Sequence, residues 1–411
     1  MDDVGYGDIG SHGAKDIRTP NVDRLAREGV RLTDFYAAPT CTPMRASLIS
    51  GRYYQRSGLD RPMGAAGPAT RDLGLPATGR SLPQLLKNRG YATGLVGKWH
   101  LGYKPEYSPA AHGFDAFFGF KSGYIDYYQH TDGVGAHDLF ENDAPTHVEG
   151  YMTDLITARS VKFINDQADR PFFLEVAYNA AHWPFQVPDR PSVAPGNARF
   201  VQPQDVPTGT RQEYAAIVER ADQGVGRILD ALRAHGLDRD TLVIYTHDNG
   251  GEWLSSNAPL FHRKDSVWEG GVRVPLIARW PARIPRGRVS PQVGITMDLT
   301  TTILSAAGAV LPAEAKFDGI DLLPQLVGGA PPVERTLFFR NVLPARAQRA
   351  VRQGDWKVLI DGPNTMVFDL KRDLGERNDL ASRRPDIARR LRPLLAQWEA
   401  DVDAEAKQRP R

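Results

Sequence analysis

Thr241-Leu-Val-Ile-Tyr-Thr246 runs without a break into His247-Asp248-Asn249-Gly250-Gly251. The first six residues are apolar, β-branched or aromatic, as expected of a buried strand, and the next five form a polar turn. Alone, Asp-Asn-Gly signals no more than a turn. The arrangement recurs upstream. Tyr91-Ala-Thr-Gly-Leu-Val-Gly97 leads to Lys98-Trp99-His100, and Pro171-Phe-Phe-Leu-Glu-Val-Ala-Tyr178, read as a central strand, leads to Asn179-Ala-Ala-His182. Helices are expected at 20–28, 81–90, 154–164 and 211–235, with Thr19 and Ser81 as N-caps of the first two and Gly29 and Gly90 as their stops. Strands alternating with helices predict an α/β fold around a mostly parallel, doubly wound sheet. Such sheets bind ligands beyond the carboxyl ends of their strands, where these polar clusters fall.

The 411 residues exceed one small core, and two parts are expected: a catalytic domain over 1–330 and a C-terminal subdomain over 331–411, parted at Gly328-Gly-Ala-Pro-Pro332. The second part should hold strands at 350–360 and 366–370 and a basic helix at 385–400. Residues 108–150, rich in glycine, aromatics and histidine, read as a long functional loop, whose stretch 124–138 is either a wall for a sugar or aryl ring or simply loop core. A formal charge of +2 argues against a broad nucleic-acid or membrane-surface footprint, and no apolar run is long enough to span a membrane. With one cysteine there is no intrachain disulfide.

That cysteine lies in Pro39-Thr-Cys41-Thr-Pro43-Met-Arg45, where Pro43 suits a first helical turn and Arg45 stacks one turn above Cys41. Position alone allows an inert buried thiol or a reactive one at a helix N-terminus. The chain opens with the adjacent acids Asp2 and Asp3, which are either a solvated tail or half of a cation site. Asp2, Asp3, Asp248 and Asn249 offer only oxygen ligands, which favours Ca²⁺ or Mg²⁺ over zinc. Lys98, Lys264 and Arg45 add positive charge, and His100 and His182 can move protons. Together they would suit a tetrahedral anionic ester. No Ser–His pair is evident among these residues, which leaves Cys41 as the candidate nucleophile.

Cys41-Thr-Pro43-Met-Arg45 resembles the Cys-x-Pro-x-Arg signature of the sulfatases. The resemblance extends through Asp2-Asp-Val-Gly-Tyr-Gly-Asp, Thr19-Pro-Asn-Val-Asp-Arg-Leu, Gly97-Lys-Trp-His-Leu-Gly, Asp248-Asn-Gly-Gly, Trp268-Glu-Gly-Gly-Val-Arg and Gly354-Asp-Trp-Lys, over essentially the whole chain. Gly113-Phe-Asp-Ala-Phe-Phe-Gly and His182-Trp-Pro-Phe-Gln-Val-Pro are similar to the arylsulfatase B (N-acetylgalactosamine-4-sulfatase) branch. The resemblance implies an alkaline-phosphatase-like fold: a large mixed, mostly parallel sheet between helices, with a small C-terminal α+β subdomain carrying an antiparallel sheet. It implies hydrolysis of an aryl or carbohydrate sulfate. Cys41 would be oxidised to Cα-formylglycine by a formylglycine-generating enzyme, and its hydrate would attack sulfur. Ca²⁺ would be held by Asp2, Asp3, Asp248, Asn249 and modified Cys41. His182 with Lys264 would assist the leaving alcohol, His100 would deprotonate the second hydroxyl to expel sulfate, and Lys98 and Arg45 would hold the hydrate and developing charge.

Two departures stand out. Met44 replaces the serine usual in the signature, and only Met1 precedes the acid pair, where sulfatases carry an apolar strand. The expectation is that upstream codons encode that strand. Any signal peptide would lie there too, so that the protein is cytoplasmic as written and periplasmic or secreted otherwise. The rival readings are a formylglycine-dependent phosphonate monoester or phosphodiester hydrolase and an inactive binder of sulfated sugars.

Overall fold

The computed structural model describes residues 1–63, 72–190, 209–343 and 346–408. In chain order, α1 (Pro20–Glu28), β1 (Val30–Tyr36) and α2 (Cys41–Ser50) come first. α3 (Leu82–Asn88), β2 (Ala92–Lys98) and β3 (Ala116–Phe120) follow, then the two-residue strands β4 (Phe140–Glu141) and β5 (Ala144–Pro145). α4 (Met152–Asp166), β6 (Phe172–Ala177), α5 (Arg211–Ala234) and β7 (Val243–Thr246) lead to α6 (Glu269–Val272) and β8 (Leu276–Arg279). β9 (Arg288–Ile295), α7 (Thr296–Ala306) and α8 (Leu323–Val327) complete the larger part. β10 (Thr336–Leu343), β11 (Arg346–Gln353), β12 (Trp356–Asp361), β13 (Asn364–Asp369) and α9 (Pro385–Ala406) make the rest.

Local chemistry sets the helix boundaries. Ser81 caps α3 by accepting from Gln84 N, and Thr210 with Glu213 forms a reciprocal capping box on α5. Thr19 precedes α1 but does not cap it through its side chain. Its hydroxyl instead accepts from Gly10 N at 2.8 Å and lies 3.3 Å from Asp23 Oδ1.

Two mixed sheets form the larger part, ordered β7-β8-β1-β9 and β5-β4-β3-β2-β6. β2 runs parallel to β3 and β6, and β1 is parallel to β9 but antiparallel to β8. β2 is buried along its whole length. Gly97 faces both Gly119 and Ala177 across the sheet. A Cβ at Gly97 would lie 2.0 Å from Ala177 O, and one at Gly119 would lie 1.8 Å from Gly97 O, so only glycine lets these strands close up beneath the site. Residues 1 and 2 lie between the two sheets: Asp2 N donates to Ala180 O (2.9 Å), Ala181 N to Asp2 O (2.7 Å) and Asp248 N to Met1 O (3.2 Å).

Several expectations are corrected here. β6 is an outer strand of its sheet among the described residues, not a central one, and β7 is likewise outermost and mostly half-buried. Each has one strand neighbour among the described residues, and residues 1 and 2 bind at and just past the carboxyl ends of both, Met1 N donating to Thr246 O at 3.0 Å. The stretch 108–150 is not all loop, because β3 is a buried strand whose aromatics pack in the core.

β10–β13 form an antiparallel meander in chain order. One apolar cluster joins Leu337, Val358, Phe368 and Trp398 of this part to Tyr36, Trp268 and Val272 of the larger one. Lys357, fully buried, lies 2.9 Å from both Glu269 and Glu376. α9 reaches back to the end of α2, pairing Glu405 with Arg52 (2.6 Å) and Asp401 with Arg56 (2.6 Å).

Candidate active site

Helix α2 starts at Cys41, after Thr40 in an extended conformation, and eight of its ten residues are buried. Burial on all sides explains why its sequence has no apolar stripe. Met44 sits in the apolar core with Ile49, Leu95 and Leu299, so the side chain that replaces serine faces packing and not solvent. The Cys41 thiol is buried, and burial pushes it up to about 11 against the pull of the Lys98 and Lys264 ammoniums. An unmodified thiol here stays protonated at neutral pH, which makes it a poor nucleophile.

The predicted residues converge on Cys41 from the ends of three strands. Lys98, the last residue of β2, donates to Asp2 Oδ2 at 2.7 Å, with both side chains wholly buried. Arg45 donates to Lys98 O at 3.0 Å and holds its other terminal nitrogen 3.7 Å from Asp248 Oδ2. Lys264 donates to Asp3 Oδ2 (2.7 Å) and to Glu252 Oε2 (3.2 Å), and Asn249 Nδ2 donates to Asp3 Oδ1 (2.8 Å). His182 Nε2 lies 3.4 Å from the same Asp3 Oδ2.

Hydrogen-bond partners fix both histidine tautomers. His182 Nδ1 is 2.7 Å from Trp183 O, and a carbonyl can only accept, so Nδ1 carries the hydrogen and Nε2 faces Asp3. His100 donates from Nε2 to Met63 O (2.9 Å), which leaves Nδ1 as its lone-pair nitrogen, buried and without a hydrogen-bond partner among the described residues. Burial and the Lys98 charge push His100 well below its usual range. Burial, against the pull of Asp3, takes His182 down to about 3. Strand alternation is not what brings Lys98 and His100 together, because His100 turns left-handed at φ 57°. Thr42 Oγ1, beside Cys41, fixes the turn by donating to His100 O at 3.2 Å.

The acids carry a signature of a cation site. Asp2 Oδ1, Asp248 Oδ2 and Asn249 Oδ1 are buried with no hydrogen-bond partner among the described residues. Buried oxygens are rarely left so. Ligand atoms of Asp2, Cys41 and Asp248 all lie within 4.8 Å of one another, as do those of Asp2, Asp3 and His182. Burial and the neighbouring Asp248 carboxylate push Asp2 well above the usual carboxylate range despite Lys98. A divalent cation would satisfy these orphaned oxygens and remove that repulsion, so the donor set fits a hard metal ion. Asp3 is different. Both its oxygens already accept, and Lys264, His182 and Lys98 together outweigh burial and hold its carboxyl below the usual range.

Two neighbours belong to none of the predicted clusters. Glu252 directly follows Gly250-Gly251 and holds Lys264, a place its adjacency to the motif could have suggested. Gly123 lies so close to His100 that a Cβ there would stand 2.8 Å from His100 Cε1.

A sequence profile of the Sulfatase family matches residues 1–309. The N-acetylgalactosamine-6-sulfatase of Canis lupus familiaris is 38% identical over 364 residues, covering 82% of this chain and 67% of that protein. Arylsulfatase J of Mus musculus is 32% identical, over 97% of this chain and 74% of its own. Among solved structures, Ps i-CgsB superposes with a TM-score of 0.85 at 29% identity, covering 96% of this chain and 90% of its own. It has also been solved with k-i-k-neocarrahexaose. No helix of the described residues is long and apolar enough to cross a membrane. With a profile matching residues 1–309 and relatives of this likeness over most of its length, the chain belongs to the sulfatase family and is a sulfuric ester hydrolase.

Proposed function

We propose that this sulfatase cleaves a carbohydrate sulfate monoester, using Cα-formylglycine made from Cys41 by a formylglycine-generating enzyme and a Ca²⁺ ion, with Mg²⁺ meeting the same donors. The observation that carries the reading is the set of three orphaned buried oxygens, on Asp2, Asp248 and Asn249, whose side chains gather where Cys41 opens α2. The carbohydrate is supported by the relatives: one is an N-acetylgalactosamine-6-sulfatase by name, and Ps i-CgsB has been crystallised with a neocarrahexaose.

Once formed and bound, the formylglycine hydrate supplies an oxygen nucleophile toward sulfur, and the cation supplies positive charge to the reacting group. Lys98 and Arg45 keep fixed charge beside residue 41, and fixed charge costs no reorganisation as negative charge develops. Lys264 brings its ammonium, and His182 its Nε2, to the Asp3 side of the site, where the ester oxygen leaves as an alcohol and needs a proton; Nε2 is bare in the neutral imidazole, so that proton originates on the Lys264 ammonium, which shares Asp3 Oδ2 with it. His100, neutral with a bare Nδ1, is suited to take a proton. Mass spectrometry of the peptide bearing residue 41, from a host that has the converting enzyme, tests the reading. Active protein with an intact thiol would overturn it. Faster turnover of 4-nitrophenyl phosphate or a phosphonate monoester than of 4-nitrophenyl sulfate would move the substrate away from sulfate.

A further inference from the structure

Beyond the reacting centre, two aromatic rings pack against the imidazole that faces the leaving group. Tyr124 lies parallel to His182, with centroids 5.6 Å apart and planes 5° apart. Trp183 stands 4.1 Å from Tyr124 and 4.9 Å from His182, tilted by 48° and 45°. His182 is buried, whereas Tyr124 and Trp183 are only half-buried.

The segment that brings Tyr124 here is built for close approach. After β3, Ser122 N donates to Asp138 Oδ2 (2.8 Å), and Ser122 Oγ donates to Tyr124 O (2.6 Å). Gly123 slides beneath His100 where no side chain would fit, and the next residue lands on His182. One short segment thus touches both histidines.

Bond lengths then fix where the alcohol must lie. Its oxygen has to come within hydrogen-bond reach of His182 Nε2, and its carbon skeleton begins one bond beyond. Tyr124 and Trp183 are the ring surfaces flanking that imidazole. An aromatic face receives the C–H face of a pyranose well, because the axial C–H bonds on that side of the ring are apolar while the hydroxyls point to the rim or the opposite face. We infer that Tyr124 and Trp183 form a leaving-group subsite that stacks one face of the pyranose whose sulfate is removed, which makes them specificity-determining residues. This rests on the carbohydrate sulfatase reading above.

The test uses the whole, metal-loaded enzyme, with galactose 6-sulfate and 4-nitrophenyl sulfate as substrates and inorganic sulfate as a competitive inhibitor. If the wild type turns over neither substrate, the sulfatase reading itself fails. If it does turn over, Tyr124→Leu should raise KM for the sugar sulfate by roughly tenfold, with kcat within about threefold and Ki for inorganic sulfate unchanged. Tyr124→Phe, which keeps the ring, should restore the wild-type KM. A fall in kcat on both substrates with KM unmoved would mean that the rings only orient His182, and would overturn the subsite. So would a KM rise confined to 4-nitrophenyl sulfate, which would assign the rings to an aryl group.

Discussion

Asp2→Asn separates a cation ligand from a merely structural acid, because it keeps shape and oxygen while removing charge. In the wild type, the Asp2, Asp3 and Asp248 carboxylates face Lys98, Lys264 and Arg45, so the cluster is balanced without a cation. Within it Asp2 is the strained member, pushed up by burial and by Asp248. Neutralising it should therefore cost the metal-free protein little, and the amide oxygen of the variant can still accept from Lys98. A divalent cation at a thousand times its Kd stabilises the native state by about 4 kcal/mol. Over 411 residues, at roughly 2 cal/mol/K each, the unfolding entropy is about 0.9 kcal/mol/K, so calcium should raise the wild-type midpoint by about 5 °C. Differential scanning calorimetry with EDTA and with excess Ca²⁺ reads both states. Metal-free Asp2→Asn should melt within about 2 °C of metal-free wild type and lose most of the calcium shift. An unreduced calcium shift would remove Asp2 from the ligand set. A metal-free variant melting more than about 5 °C lower would show that the Asp2–Lys98 pair, and not the cation, holds this corner together.

Three further outcomes are expected. His182→Ala should slow hydrolysis of a sugar sulfate by roughly 10²–10⁴-fold but 4-nitrophenyl sulfate by less than about tenfold, because nitrophenolate leaves without a proton; equal losses in kcat would deny His182 the leaving-group role. Burial raises the Asp138 carboxyl to about 6, above its unfolded value, so its contribution to stability is present below pH 4 and lost as the pH rises through 6. Relative to Asp138→Asn, urea titrations should show the wild type losing on the order of 3 kcal/mol between pH 4 and 7, and parallel curves would refute this. Lys357→Met leaves Glu376 buried without its cation and Glu269 with Arg273 alone among the described residues, and should lower stability by about 3–5 kcal/mol, read as a fall in urea midpoint with unchanged slope.

Much of the site was legible because it is built at strand exits. Lys98, His182, Asp248 and Asn249 each follow an apolar run, and Cys41 and Arg45 share a helix face, so spacing points to a common end of the sheet, while the resemblance to the sulfatases supplies their roles. Strands β1 and β9 are not legible in the sequence, because Arg31, Asp34 and Arg288 interrupt their apolar pattern and each is held by pairing with the other, far away along the chain. β3 was obscured by glycine and aromatics, yet Gly119 is needed there to let the backbone of β2 come close. The roles of Glu252 and Gly123 depend on contacts between loops, and no periodicity encodes those. The signature helix gave no amphipathic pattern, being buried on nearly every side.

The grip of α9 on the end of α2 bears on timing during synthesis. Cys41 is buried once the protein is folded, so an enzyme that oxidises it must reach it earlier. Arg52 and Arg56 are held first by Lys316 O and Asp318, some 260 residues downstream, and last by Asp401 and Glu405, some 350 residues downstream. At roughly 5–20 residues per second, their emergence lags that of the signature by about 20–70 s. Through that interval the end of α2 lacks its last anchor, which leaves time for an enzyme to reach the nascent cysteine. On the formylglycine reading proposed above, a chain synthesised or folded faster than it is converted would shut its own precursor inside.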